Sequence, residues 1–346
     1  MNSAEAPRYM LHKGDAATDR DIVLGIWAGN LGHDARMPAK YDWFYRQSPL
    51  GAPLMQLLYH GTQAAGACAA GIREFMLGER RIHAGVLVDL AVLPEHRSLG
   101  PAMLLQQGLV SAADRQFDLL YGFPNPKAAP VFKRMGYTHA ADMVRYVRVL
   151  RHGVYLQRHL PSWLAQAAGS MLDAADALRQ WISGIGQRGL RVRLHDAADE
   201  RMSALCMQHP LPAALTSQRT LAHLQWRLDA APQGPFRYVT IETPDGDRVL
   251  AWVCWRNDGQ AATVLDFWSE TPERGLPSAC IEALCDTLRR EGHASVQVEM
   301  ATSPARLANW LSSRFVARGA RPLYMRWRNT PTQTVDMHIT PADEDE

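Results

Sequence analysis

The sequence predicts an α/β protein of two similar units in tandem, each a mixed, mostly antiparallel central sheet flanked by helices. Three observations carry this. Apolar runs of strand type alternate with runs of helical periodicity along the 346 residues. One stretch, Val86 to Ala102, VLVDLAVLPEHRSLGPA, reads as strand, small-residue loop and helix start. After a long alanine- and leucine-rich interval, the same order of elements begins again near residue 191.

Taken in order, Tyr9 to His12 is the first expected strand, and Thr18 with Asp21 caps a helix carrying Ile22, Val23, Ile26 and Trp27. Ala39 to Gln47, AKYDWFYRQ, is a short aromatic-rich helix. Leu54 to Tyr59 alternates as a strand, Gly61 and Thr62 turn, and Ala64 to Ile72 returns as a small-residue strand with room beside it. From Val86 to Leu93 every residue but Asp89 is apolar, the pattern of a strand covered on both faces. Pro94 ends it. Met103, Leu104, Leu109, Val110 and Ala113 then recur at helical spacing. Asp118 to Phe123 reads as the next strand, and Pro124, Asn125 and Pro126 separate it from a short helix, Ala128 to Met135, closed by Gly136.

A loop between strand and helix gathers the unpaired N–H groups of the helix's first turn around one point, at the positive end of its dipole, and so favours a phosphate. Arg97 adds a charge. Arg97, Gly100 and Ala102 spell Arg-x-x-Gly-x-Ala, and Asn125, Ala128, Phe132, Gly136 and Tyr137 follow as Asn-x-x-Ala-x-x-x-Phe-x-x-x-Gly-Tyr. The two motifs, in register over about residues 8–150, resemble those of the GNAT N-acyltransferases. The resemblance implies that the diphosphate of acetyl-CoA, or of another acyl-CoA, sits on the turn Arg97, Ser98, Leu99, Gly100 and Ala102. It implies further that Leu90 and Val92 hold the family's aliphatic strand positions, that a backbone N–H near Leu90, Ala91 and Val92 polarises the thioester carbonyl, and that Asn125, Ala128 and Phe132 complete the cofactor site. Two departures are present. Pro101 brings no N–H, and Phe132 stands where many family members carry a tyrosine that protonates the leaving thiolate.

Acyl transfer to an amine needs a neutral amine, a polarised thioester carbonyl and a released thiolate. Asp89, the one ionisable residue inside the central strand, is the candidate base, and a structural ion pair is its other reading. Tyr121 is the candidate replacement for the missing tyrosine, or a core residue. Asn125 would hold pantetheine or order water. His83 and His96 stand at the ends of the stretch, His96 reading as solvated.

Residues 151–190 read as a helical connector, an amphipathic helix packed between two units rather than on a membrane. LHDAADER at 194–201 echoes LHKGDAATDR at 11–20, and the interval from Asp196 to Trp226 nearly equals that from Asp15 to Trp43. Expected strands at 236–242, 248–255 and 262–268 are followed by a helix at 277–290, a strand at 295–300, a helix at 304–315 and a strand at 323–327. Between Ser269 and Ala279 there is no Arg-x-x-Gly-x-Ala, so this unit is expected to bind no CoA. The partition is a GNAT unit at 1–150, the connector at 151–190, a degenerate GNAT-like unit at 191–330, and an acidic, mobile tail at 331–346.

Thirty-seven Lys and Arg against 35 acidic residues give a net charge of +2, which offers nucleic acid no electrostatic footing. Five cysteines without ligand spacing suit buried, reduced thiols, and no metal is expected. With no signal-peptide pattern and no membrane span, a cytoplasmic protein without stable membrane insertion is expected. The expected activity is N-acetyl transfer to a primary amine on a small molecule or peptide. The alternatives are a longer acyl donor, on CoA or on a carrier protein, housed beside Ala65 to Ala70; a non-catalytic acyl-CoA-binding scaffold; and the tandem arrangement of the Fem aminoacyl transferases. Acceptor and oligomeric state are not legible.

Overall fold

The computed structural model describes residues 9–32, 34–126, 128–157, 160–182, 189–332 and 334–344. The first half of the chain runs β1 (Tyr9–Gly14), α1 (Arg20–Trp27), α2 (Met37–Tyr41), β2 (Leu54–His60), β3 (Gln63–Leu77), β4 (Arg80–Val92), α3 (Leu99–Ala113), β5 (Leu119–Gly122), α4 (Ala129–Arg134) and β6 (Thr138–Val149). Between the halves stand α5 (His152–Leu156) and α6 (Ser162–Ile182). The second half runs β7 (Arg191–His195), α7 (Glu200–Gln208), β8 (Thr216–Ser217), α8 (Leu221–Leu224), β9 (Phe236–Glu242), β10 (Val249–Asp258), β11 (Ala261–Ser269), α9 (Ser278–Arg290), β12 (Ser295–Met300), α10 (Pro304–Ser312) and β13 (Val316–Trp327).

All these strands form one sheet, in the order β1-β2-β3-β4-β5-β13-β6-β12-β11-β10-β9-β7, with β8 alongside β3. The order is a palindrome of the two halves about the β13–β6 pair. Each half contributes one parallel pair, β4 with β5 and β11 with β12, and the other neighbours run antiparallel. The last strand of each half lies beside the other half's last strand but one: β13 pairs with β5, and β6 with β12.

The two faces of the sheet differ. On one, α1, α2, α7 and α8 from both halves share a single core that includes Trp27, Trp43, Trp226 and Trp252. On the other, α3 packs Leu105, Leu109 and Ala113 onto the first half's strands, and α9 packs Ile281, Leu284 and Leu288 onto the second half's, as two separate cores. Spacings of three and four residues put each of these sets on one helical face.

Trp43 and Trp226, paired by spacing in the sequence, meet at the junction. Each is the second residue of a π-helical turn, Asp42–Arg46 and Gln225–Asp229. The indoles stack at 5.4 Å, and each ring N–H donates to the other's backbone carbonyl, at 2.6 and 2.9 Å.

Two expectations are corrected. The tail is not mobile where described. Thr340 and Asp343 are 1% and 0% exposed, because buried arginines take the tail's backbone carbonyls and Arg219 lies 3.9 Å from the Asp343 carboxylate. Arg73 donates to the Glu344 carbonyl, Arg227 to those of Pro341 and Ala342, and Ser217 to the Asp343 carboxylate. Nor does α6 pack between two units. It lies mainly against α5, where Gly153 and Gly169 allow close approach, and leaves Trp163 and Met171 69% and 74% exposed.

Candidate active site

At the C-terminal end of β4 the sheet parts. β4 and β5 pair only through Ala84–Leu119, Gly85–Leu120 and Val86–Tyr121, and beyond Val86 no described strand lies on that side of β4. A cleft of about 490 Å³ fills the gap, a size usual for small-molecule sites. Leu90, Ala91 and Val92 form one wall, Asn125, Ala128 and Val131 the other, and Arg97, Ser98 and Ala102 close the end where α3 begins.

α3 is a 15-residue helix whose N-cap Ser98 is extended and makes no side-chain cap. Its first-turn N–H groups are therefore left to whatever enters the cleft. Gly100 is exposed, and a Cβ added there would meet only Ser98 Oγ, at 3.9 Å. The Arg97 guanidinium donates to the Val92 carbonyl at 3.3 Å and to the Asn30 side chain, which keeps it at the cleft mouth. Asn125 accepts from the Ala128 N–H at 3.0 Å, capping the turn into α4. The Leu99 side chain lies outside the described residues.

Three expected residues stand elsewhere. Asp89 is not on the cleft wall. Its side chain is 3% exposed, Lys40 Nζ lies 2.7 Å from one carboxylate oxygen, and the Tyr45 hydroxyl donates to the other at 2.9 Å. Burial and the Asp89 charge hold that hydroxyl protonated well above the usual phenol range. Tyr121 is fully buried on the shared-core face and donates to the Asp343 carbonyl. Burial raises its pKa and keeps the hydroxyl protonated, but the hydroxyl is engaged with the tail and Tyr121 does not line the cleft. Phe132 points into the core, 5.0 Å from the Tyr137 ring and tilted against it, and it is Val131 that reaches the cleft. Asn30, Val131, Lys40 and Tyr45 were not singled out from sequence. For Lys40, a lysine inside the aromatic run Met37–Tyr45 was the available signal, since a cation placed there needs a buried partner.

The small side chains of Ala65 to Ala70 leave no space where room for an acyl chain was expected. A Cβ on Gly66 would already lie 2.9 Å from Leu105 Cδ1 and from the Ala91 carbonyl, and one on Gly71 would lie 2.4 Å from Phe44. Small residues here admit α3 and Phe44.

The second half parts in the same way. β11 and β12 pair from Ala261–Ser295 to Val264–Val298 and then separate. Here the chain's own tail enters: Ile339 bridges to Ala301, and Thr340 Oγ1 donates to Asp266 on β11 at 3.0 Å. The His338 ring packs edge-on to Phe267 at 5.3 Å. About 10 Å³ remains between Phe267, Trp268, Ser269, Pro272, Gly275 and His338. Asp266 is held by Arg219 through two hydrogen bonds of 2.8 and 2.9 Å, with both side chains 1% exposed.

No protein-family model and no curated protein matches the sequence. Solved structures do match. A conserved Enterococcus faecalis protein of unknown function aligns over 92% of this chain and 73% of its own, with 10% identity and a TM-score of 0.67. A GCN5-related N-acetyltransferase from Kribbella flavida aligns over 93% and 71%, with 15% identity and a TM-score of 0.61. The chain has the GNAT fold. Saccharomyces cerevisiae N-myristoyltransferase, solved with bound myristoyl-CoA, aligns over 94% of this chain and 85% of its own, with 10% identity and a TM-score of 0.56. Among the described residues, no helix is long and apolar enough to cross a membrane.

Proposed function

We propose that the first half, residues 1–150, is an acyl-CoA-dependent N-acyltransferase with acetyl-CoA as default donor and a primary amine as acceptor. The second unit, 191–330, closed by the tail, then serves as a partner that binds no CoA. The observation that carries this reading is the cleft between β4 and β5, which opens onto the uncapped N-terminus of α3. Neighbours with this fold include N-acetyltransferases and an N-myristoyltransferase bound to myristoyl-CoA. All five cysteines are unpaired, in keeping with a reducing, cytoplasmic setting.

In this reading the α3 N-terminus and Arg97 take the diphosphate. The backbone of Leu90 to Val92, with no strand on that side, takes the pantetheine and polarises the thioester carbonyl. The amine nitrogen attacks that carbon, the C–S bond breaks, and the amine proton passes to solvent. With Phe132 and Tyr121 both in the core, the thiolate leaves unassisted, as a thiol of ordinary pKa near ~8.5 can do.

Gly100→Val tests the reading. The added side chain has space in the protein but stands where the diphosphate approaches, so the variant should fold normally and bind acetyl-CoA at least about tenfold more weakly. Calorimetry on the wild type should show one site per chain. Wild-type affinity in the variant, or two sites, would overturn the assignment.

A further inference from the structure

We propose that Lys40 and Tyr45 are positioning residues of this site. They hold Asp89 in a left-handed backbone conformation and so direct Leu90, Ala91 and Val92 along the cleft. The inference rests on the acyl-CoA reading above and deepens it.

Asp89 has φ +53, and only one other non-glycine described residue, Arg314, has a positive φ. L-residues avoid this region, aspartate less than most. The conformation falls at a break in register, where β3–β4 pairing passes from Ala69–Val88 to Ala67–Ala91. Asp89 and Leu90 together thus oppose the single residue Cys68, a β-bulge, and such an extra residue bends its strand. The wall of the cleft begins at the next residue, Leu90.

What holds the bulge is the carboxylate. One oxygen meets Lys40 and the other Tyr45, and the Lys40 and Asp89 side chains are 6% and 3% exposed. Lys40 belongs to α2 and Tyr45 to the π-helical turn after it, and the Tyr45 ring stacks on Tyr41 at 4.6 Å. That turn is clamped by the reciprocal Trp43–Trp226 hydrogen bonds. A continuous set of contacts therefore leads from the second half to the cleft wall. In the second half the extra bulge residue is Leu265, opposite Cys254 and Trp255, and no positive φ accompanies it. There the cleft is filled by the tail.

The test compares two double variants of the full chain, each of which removes both charges and so strands neither. Glycine adopts φ +53 freely and alanine does not. Lys40→Met/Asp89→Gly should therefore bind acetyl-CoA roughly tenfold more tightly than Lys40→Met/Asp89→Ala, though both lack the carboxylate. Tyr45→Phe keeps the stacked ring and loses only the hydroxyl; it should weaken acetyl-CoA binding about threefold. It also reads the contact independently if the alanine variant does not fold. Equal affinity in the two folded double variants, or wild-type affinity in Tyr45→Phe, overturns the inference and leaves the acyl-CoA reading standing. A wild-type chain that binds no acetyl-CoA overturns both, and shows it before any variant is made.

Discussion

The two halves part their parallel strands at matching places, yet the gap after β4 holds about 490 Å³ and the gap after β11 about 10 Å³. The strands do not make the difference. In the first half a helix with no side-chain cap and a glycine-containing turn leave N–H groups facing an open space, whereas in the second Pro277 stands at the N-cap of α9 and the tail lies between the strands. A shared scaffold can thus carry an open site and a closed one, the distinction resting on a loop and on a segment distant in sequence.

The sharpest way to break this contrast is at the buried pair of the closed half. Arg219→Met leaves Asp266 without its charged partner in a fully buried position and should cost about 3–5 kcal/mol of stability, read from urea denaturation. Acetyl-CoA affinity of the fraction still folded should not change, because the open cleft uses neither residue. A loss of affinity with stability preserved would show that the two clefts are not separate.

Acid should act on the closed half next. Burial, with Arg219 and Arg306 nearby, pushes the His338 pKa well below 6.5, and burial with Arg73, Arg227 and Arg219 does the same for His223. Both imidazoles are neutral in the folded chain and take up protons on unfolding. Their contribution is therefore fully present above pH ~6.5 and is lost as pH falls below it, by about 1.4 kcal/mol per pH unit for each ring. Denaturation at pH 7, 6 and 5 measures the slope, and His338→Phe should remove one ring's share. An unchanged slope in that variant would mean that the tail leaves the second cleft before the protein unfolds.

The smallest effect is expected at Tyr121. Tyr121→Phe removes one buried hydrogen bond to the tail and should cost about 1 kcal/mol. Turnover, once an acceptor is found, should stay within about twofold, and a loss of an order of magnitude or more would restore the hydroxyl to a chemical role.

Strand and helix periods were legible in this sequence because they are local: the elements from β9 to β12 lie close to their expected ranges, while β13 begins at Val316, seven residues before its expected start. The strand, loop and helix around Arg97 to Ala102 were legible because prolines and small residues punctuate two apolar runs there. What could not be read was partnership across distance. Asp89 is conspicuous as the one charge in its strand, yet whether it faces a ligand or Lys40 depends on how α2 docks. The tail's acidic composition reads as solvated unless one knows that Arg73, Arg219 and Arg227, far upstream, are buried and supply its partners. Likewise β6 and β13 carry the same apolar pattern whichever neighbour they take, so nothing local announces their exchange.

That exchange bears on how the chain is made. As a ribosome releases it from the N-terminus, β5 emerges early, but the strand that covers its edge begins at Val316. Most of the second half must be synthesised before the first can close. Until then β5 presents bare N–H and C=O groups, the kind of edge that recruits neighbouring chains. Release of residues 1–150 alone would make that state permanent, so a gene split between the halves should yield aggregate from the upstream fragment, and soluble protein only when both fragments are made together.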